Sequence, residues 1–218
     1  MDLDIAGRLL NFIVLVLSLT VHEFFHAWSA WKLGDDTAAR MGRLTLNPLP
    51  HLDLFGTVIL PLMNAPIGWA KPVPVNPANF RRDIRASTGD ILVSIAGPLS
   101  NLGLGLLAGV VLGLLLRWAP DAVALGSAGR ALLVRLVMLN VGLAIFNIIP
   151  VPPLDGSHVV GNLLPYGLRD AWATFSQFGM YILFALVLLG QGLLLRIIGP
   201  PIEFLSNLLF RVALGIAA

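Results

Sequence analysis

The sequence predicts an all-α polytopic membrane protein, a bundle of about four to six transmembrane helices with a small β-like or re-entrant flap. Three observations carry that reading. The 218 residues are 57% hydrophobic and only 12% charged, against about 25% charged in an ordinary soluble domain. The apolar residues gather in runs long enough to cross a hydrocarbon core of about 30 Å. Between two of those runs lies one apolar stretch that Gly and Pro break too often for a spanning helix. The chain therefore reads as a single integral membrane domain over 1–218, with the lipid bilayer as its surroundings. A formal charge of +2, with no basic cluster interleaved with aromatics, argues against nucleic acid as a partner. The lack of cysteine excludes disulfides and thiolate metal ligands, leaving His and carboxylates to hold any metal.

The first span covers about 5–31. Asp2 and Asp4 precede it where a cleaved signal would carry basic residues. From Leu9 to Trp31 there is no Lys, Arg or Asp, and Glu23 is the single acid. That acid belongs to Val21-His22-Glu23-Phe24-Phe25-His26, which reads H-E-x-x-H. Two histidines four apart share one helix face. Zn²⁺ accepts two imidazoles presented that way, and a neighbouring Glu can take a proton from water. Ionisable side chains are costly in a lipid-spanning helix and rare there without a task.

A polar loop with Lys32, Asp35, Asp36, Arg40 and Arg43 follows, then His51 and Asp53. The flap covers about 54–78. Gly56, Pro61, Pro66 and Gly68 interrupt its apolar part, and alternating prolines extend the stretch from Lys71 to Pro77. The second clear span is about 91–116, where Gly97, Gly103 and Gly105 allow close helix approach and Asn101 needs a partner inside the bundle. The third is about 131–149, with Asn140 and Asn147 on one face. It ends in Pro150-Val151-Pro152-Pro153, followed closely by Asp155-Gly156. Further spans are expected at about 174–195 and 204–218, with Gly199-Pro200-Pro201 breaking the chain between them.

Orientation follows from the basic residues of the loops. The 32–90 loop carries Lys32, Arg40, Arg43, Lys71 and the Arg81/Arg82/Arg85 edge, whereas the next loop carries Arg117 and Arg130. The large loop is expected in the cytoplasm and the N-terminus outside. The motif end of the first span and the Asp155 turn then fall on the same, cytoplasmic side of a cell (inner) membrane.

A catalytic zinc site takes three protein ligands and leaves a position for water. His51, Asp53, Asp155 and His158 are candidates for the third. Asp155 is the strongest, at a Pro-rich break where irregular backbone is tolerated only if it lines a cavity. For His158 a capping or interfacial role is the stronger expectation, for His51 an ordinary loop histidine, and for Asn140 a helix–helix hydrogen bond.

His22-Glu23-x-x-His26, together with Asn147-x-x-Pro150-x-Pro152-x-Leu154-Asp155-Gly156 and Gly97-Pro98-x-x-Asn101, resembles the site-2 protease family of intramembrane zinc metalloproteases. The resemblance covers about residues 5–165. It implies one Zn²⁺ per chain on His22, His26 and Asp155, with Glu23 activating water. It also implies that Asn147 positions the substrate peptide or its oxyanion. The chain looks like the compact bacterial branch, without a PDZ insertion or nucleotide-sensing module. The expected reaction is regulated intramembrane proteolysis of a transmembrane protein substrate. Two rivals stand beside it. A metal or proton transporter needs ligands spread along a path, whereas these cluster at one depth. An inactive relative does not need the intact set of His22, Glu23, His26 and Asp155.

Overall fold

A computed structural model describes residues 5–63 and 68–218. Asn64 and Pro66 of the expected flap lie outside the described residues. Helix α1 runs Ile5–Lys32. One face carries Ile5, Leu9, Ile13 and Leu17, four apart and exposed, as a lipid-facing stripe requires. The opposite face buries Ser18, His22 and His26. A short helix α2, Thr37–Arg40, follows. The long helix α4, Ala86–Trp118, is the centre of the molecule and packs against α1, α5 (Ala128–Asn147), α6 (Asp155–Leu163) and α9 (Gln191–Ala217). Helices α1, α4, α5 and α9 are each long and apolar enough to span a membrane, which makes this a multi-pass membrane protein.

The interior of the bundle is glued by polar groups rather than by a large apolar core. Ser18, Asn101 and Asn140 are each 0% exposed. The Asn101 amide donates to Asn140 Oδ1 at 2.7 Å and to the Ser18 carbonyl at 3.3 Å. The Asn140 amide donates to Ser18 Oγ at 2.9 Å and to the Leu136 carbonyl at 2.8 Å. In hydrocarbon such groups have no water to turn to, so α1, α4 and α5 are held in one register by satisfying one another.

The C-terminal region differs from the expectation. The run at 174–195 is split into α7 (Arg169–Gln177) and α8 (Gly179–Leu188), bent by 56°. Val187 at the end of α8 packs with Leu194 and Ile198 at the start of α9 and with Ile145, Phe146 and Ile149 at the end of α5. Ala213 near the end of α9 packs with Leu112 of α4 and Val123, and Ile216 accepts a bond from Arg117 at 3.1 Å. Helix α9 thus begins beside the C-terminal end of α5 and finishes beside the C-terminal end of α4. The α7–α8 pair leaves and returns on one side, and α9 makes the last crossing. Pro200 and Pro201 lie inside α9 and do not break it. A proline removes one donor each, a loss that spanning helices absorb through neighbouring helices and local adjustment.

The flap is irregular, and no strand occurs among the described residues. Its first limb is a π-helical turn, Leu54–Ile59, continued by one α turn, α3 (Leu60–Leu62). Asp53 caps it, accepting from the N–H groups of Phe55 and Gly56 at 3.0 and 2.7 Å. The second limb, 68–76, is an extended strap. Trp69 N–H donates to the Gly56 carbonyl at 3.1 Å and Lys71 N–H to the His51 carbonyl at 2.9 Å, so the limbs face each other like a hairpin without a ladder. Further along, Asn76 N–H donates to Asp35 at 2.7 Å and Arg81 N–H to the Leu33 carbonyl at 2.8 Å. Phe80 and Val75 pack with Ala30, Leu33 and Val93, which seats the strap against α1 and α4.

Candidate metal centre

His22 and His26 sit one turn apart on α1, with His26 six residues, about 9 Å, from the end of the helix. Each ring is fixed through Nδ1. His22 Nδ1–H donates to Asn101 Oδ1 at 2.7 Å and His26 Nδ1–H to the Val93 carbonyl at 2.8 Å. The Asn101 amide faces the other way because its nitrogen is committed to Asn140 and Ser18. Both imidazoles therefore turn a lone pair on Nε2 toward the same point, in the arrangement by which an outer hydrogen bond orients a metal-binding histidine. Pro98 withholds an N–H from the Ser94 carbonyl, one residue from the Val93 carbonyl that takes His26.

The third group arrives from α6. The Pro-rich break after α5 lets the chain reverse, and Gly156 passes the end of α5 where a Cβ would lie 2.7 Å from the Ile149 carbonyl oxygen. No side chain fits there, so Gly156 sets the position of its neighbour Asp155. The Asp155 carboxylate lies 3.2 Å from His22 Nε2 and 3.3 Å from His26 Nε2, and the two Nε2 atoms are 3.0 Å apart. Asp155 Oδ2 is buried and makes no hydrogen bond. Two imidazole nitrogens, with Asp155 Oδ2 against His22 and Oδ1 against His26, meet in a buried place without donors between them and fit a cation. Ligand atoms around one tetrahedral zinc, at bonds of about 2.0–2.1 Å, stand about 3.3 Å apart. Among the described residues this is the single group of three or more His or acids that could hold a metal ion.

Glu23 is adjacent in sequence and largely buried. Its Oε2 accepts the Val73 N–H of the strap at 2.8 Å. Asn147, the last residue of α5, spends its amide on the Leu143 carbonyl at 2.9 Å, and no bond joins it to His22, Glu23, His26 or Asp155. His51 is buried under the strap. Burial, aided by the Arg43 cation, holds it below the usual imidazole range despite its bond to the Thr45 carbonyl. His158 faces Asp90 at 3.4 Å, and that carboxylate raises it above the usual range. Neither histidine joins the metal group. Asn101 and Gly97 stand out in the sequence as a polar and a small residue of a spanning helix, but their task does not. A Cβ on Gly97 would fall against His26 Nε2 and 2.6 Å from the His22 ring, so α4 can pass the site only with glycine there.

Comparison with known proteins decides the family. The model of peptidase family M50 matches residues 120–190, which include Asn147 and Asp155 but not the H-E-x-x-H helix. The chain is 40% identical over 181 residues to a Bacillus subtilis (strain 168) protein named zinc metalloprotease YwhC, covering 83% of this chain and 80% of the relative. This chain belongs to the M50, or site-2 protease, family. It is also 31% identical over 173 residues to the Rip2 zinc metalloprotease of Mycolicibacterium smegmatis (strain ATCC 700084 / mc(2)155), over 79% of this chain. Against the Rip2 of Mycobacterium tuberculosis (strain ATCC 25618 / H37Rv) the identity is likewise 31%. The chain spans 64% of the length of each of these two Rip2 proteins. No solved structure matches the chain. As an M50 protein it is a zinc metalloprotease of a family of intramembrane proteases.

Proposed function

We propose that this chain hydrolyses a peptide bond within or near a transmembrane segment of a membrane-protein substrate. In this reading one Zn²⁺ is held by His22, His26 and Asp155, and Glu23 is the general base. The observation that carries it is the convergence of His22 Nε2, His26 Nε2 and the Asp155 carboxylate within 3.0–3.3 Å, one residue from a buried Glu. When bound, zinc would polarise the scissile carbonyl and lower the pKa of water toward about 7.

The protein's own groups do the rest. Asn101 and the Val93 carbonyl keep both Nε2 lone pairs aimed inward. Glu23 takes the proton of the attacking water and hands it to the leaving amine. Asn147 stands at the break beside α6, where its amide carries a second N–H for a substrate carbonyl. A peptide bond inside a helix is shielded by its own turn, so the substrate must be held extended. The strap is the element suited to that, an already extended segment beside Glu23. Its N–H groups at Lys71, Val73 and Asn76 and its carbonyls at Trp69, Lys71 and Pro72 are engaged within the protein, which leaves the Val73 and Pro74 carbonyls and the Val75 N–H for a substrate.

The Lys and Arg bias of the 32–90 loop supports an inner-membrane protein with the N-terminus outside and the site toward the cytoplasm. Such a site, coupled to a signal that admits the substrate, suits regulated intramembrane proteolysis. The test is cleavage, by the purified full chain in detergent, of a panel of single-span peptides carrying a fluorophore and a quencher. Wild type should cut and lose activity on chelation. Glu23→Gln should fold, keep zinc and lose at least about a hundredfold in rate, because an amide cannot accept the proton. A Glu23→Gln variant with near wild-type rate refutes the general-base assignment.

A further inference from the structure

We propose that Arg43 is a positioning residue for the reaction: it holds the strap so that the Val73 N–H fixes the rotamer of Glu23. The proposal rests on the reading of Glu23 as the general base. Arg43 follows α2 and is 5% exposed. Burying a guanidinium is costly unless its donors are used. Here they go to no carboxylate among the described residues. Nη2 donates to the Lys71 carbonyl at 2.5 Å and Nη1 to the Pro72 carbonyl at 3.3 Å, while Nε makes no hydrogen bond. Arg43 thus grips two consecutive carbonyls of one short segment.

His51 completes the grip. Its Nε2–H donates to the Thr45 carbonyl at 2.9 Å, which leaves Nδ1 as an acceptor facing Arg43 Nη2 at 3.4 Å. Its own carbonyl takes the Lys71 N–H. Lys71-Pro72 is therefore held on every polar backbone group it has. The next N–H along the chain is that of Val73, and Glu23 Oε2 accepts it at 2.8 Å. Pro72 and Pro74 fix the backbone on either side. With Oε2 tied to the strap, Glu23 makes no other hydrogen bond among the described residues, which leaves Oε1 free to accept a proton. A general base must be held within hydrogen-bond reach of the proton it removes, and small displacements cost large factors in rate.

The same detergent preparation and the fastest-cut peptide of the panel test this, with zinc content and amide hydrogen exchange over 68–76 as further readouts. Val73→Pro deletes the N–H that stands between Pro72 and Pro74, and Arg43→Met deletes the donors. Both should lower kcat about ten- to a hundredfold with KM within about threefold and zinc unchanged. Arg43→Lys should recover part of the loss, since an ammonium can reach the same carbonyls. In Arg43→Met the Lys71 and Val73 amides should exchange at least about tenfold faster. Wild-type kcat in Val73→Pro overturns the proposal. So does a raised KM at unchanged kcat, which makes the strap a substrate clamp, or loss of zinc, which makes it merely structural. If Arg43→Met fails to fold, Val73→Pro decides, because it keeps Arg43. An active Glu23→Gln overturns the underlying reading of Glu23, a result that the exchange measurement on Arg43→Met does not depend on and so distinguishes.

Discussion

His22 and His26 are equivalent in the motif but not in how they are held. A side-chain amide, Asn101, fixes the first ring, and a backbone carbonyl, that of Val93, fixes the second. Beneath both lies the bare backbone of Gly97. A methyl group at that position has nowhere to go except into the rings that aim at the metal. Gly97→Ala should therefore weaken zinc binding by about tenfold or more, the scale on which outer-sphere disturbance acts, while the helix itself gains propensity. Competition with a fluorescent chelator measures it, and wild-type affinity in the variant would show that the rings can retreat. The H-E-x-x-H residues were legible because polar groups stand out in an apolar run. Gly97 was visible as a small residue, but its task depends on rings some seventy positions away in the chain. The Val93 carbonyl left no signal, since every residue has one.

The strap at 68–76 is an element with no regular structure of its own, and it is fastened by groups on α1 and the loops. Asp35 is the fastening at its far end, accepting from Asn76 N–H at 2.7 Å, the Asn79 amide at 2.9 Å and Thr37 N–H at 3.1 Å. Burial works to raise this carboxyl, but the donors of Asn76, Thr37 and Asn79 outweigh it and hold it below its ordinary value. A depressed carboxyl contributes stability that is in full force above its unfolded-state pKa of about 3.9 and is lost as pH falls through the lower folded value. Asp35→Asn should cost about 1–3 kcal/mol near neutral pH, because the new amide turns donors toward donors. The difference from wild type should shrink as pH falls through that window. Thermal melts across acid pH check this, and a gap that widens on acidification would contradict it. The Gly and Pro pattern foretold an irregular flap but not that its first limb is helical. That limb owes its shape to the Asp53 cap and to Pro61 in the first turn of α3, a position where proline is tolerated.

At the scale of the molecule, three spans were legible from long apolar runs, and the structure lengthens the second to Ala86–Trp118 and shifts the third to Ala128–Asn147. The C-terminal third was not. Apolar length at 174–195 resembled a crossing, but Val187 returns to the end of α5, and prolines that break soluble helices sit inside α9. Four crossings place the start of α1 and the end of α9 on the face of the 119–127 turn. Cysteines introduced at Asp83 and Leu125 of this cysteine-free chain test the sidedness. The first should label from the cytoplasm and the second from outside intact cells, and the reverse pattern would invert the proposed orientation. The proposed chemistry requires that α1 and α6 meet to form a metal centre. The most direct test is zinc stoichiometry and affinity of the purified full chain beside Asp155→Ala. Wild type should hold about one zinc per chain and the variant almost none, because His22 and His26 alone make a poor site. Full stoichiometry at wild-type affinity in Asp155→Ala would contradict it.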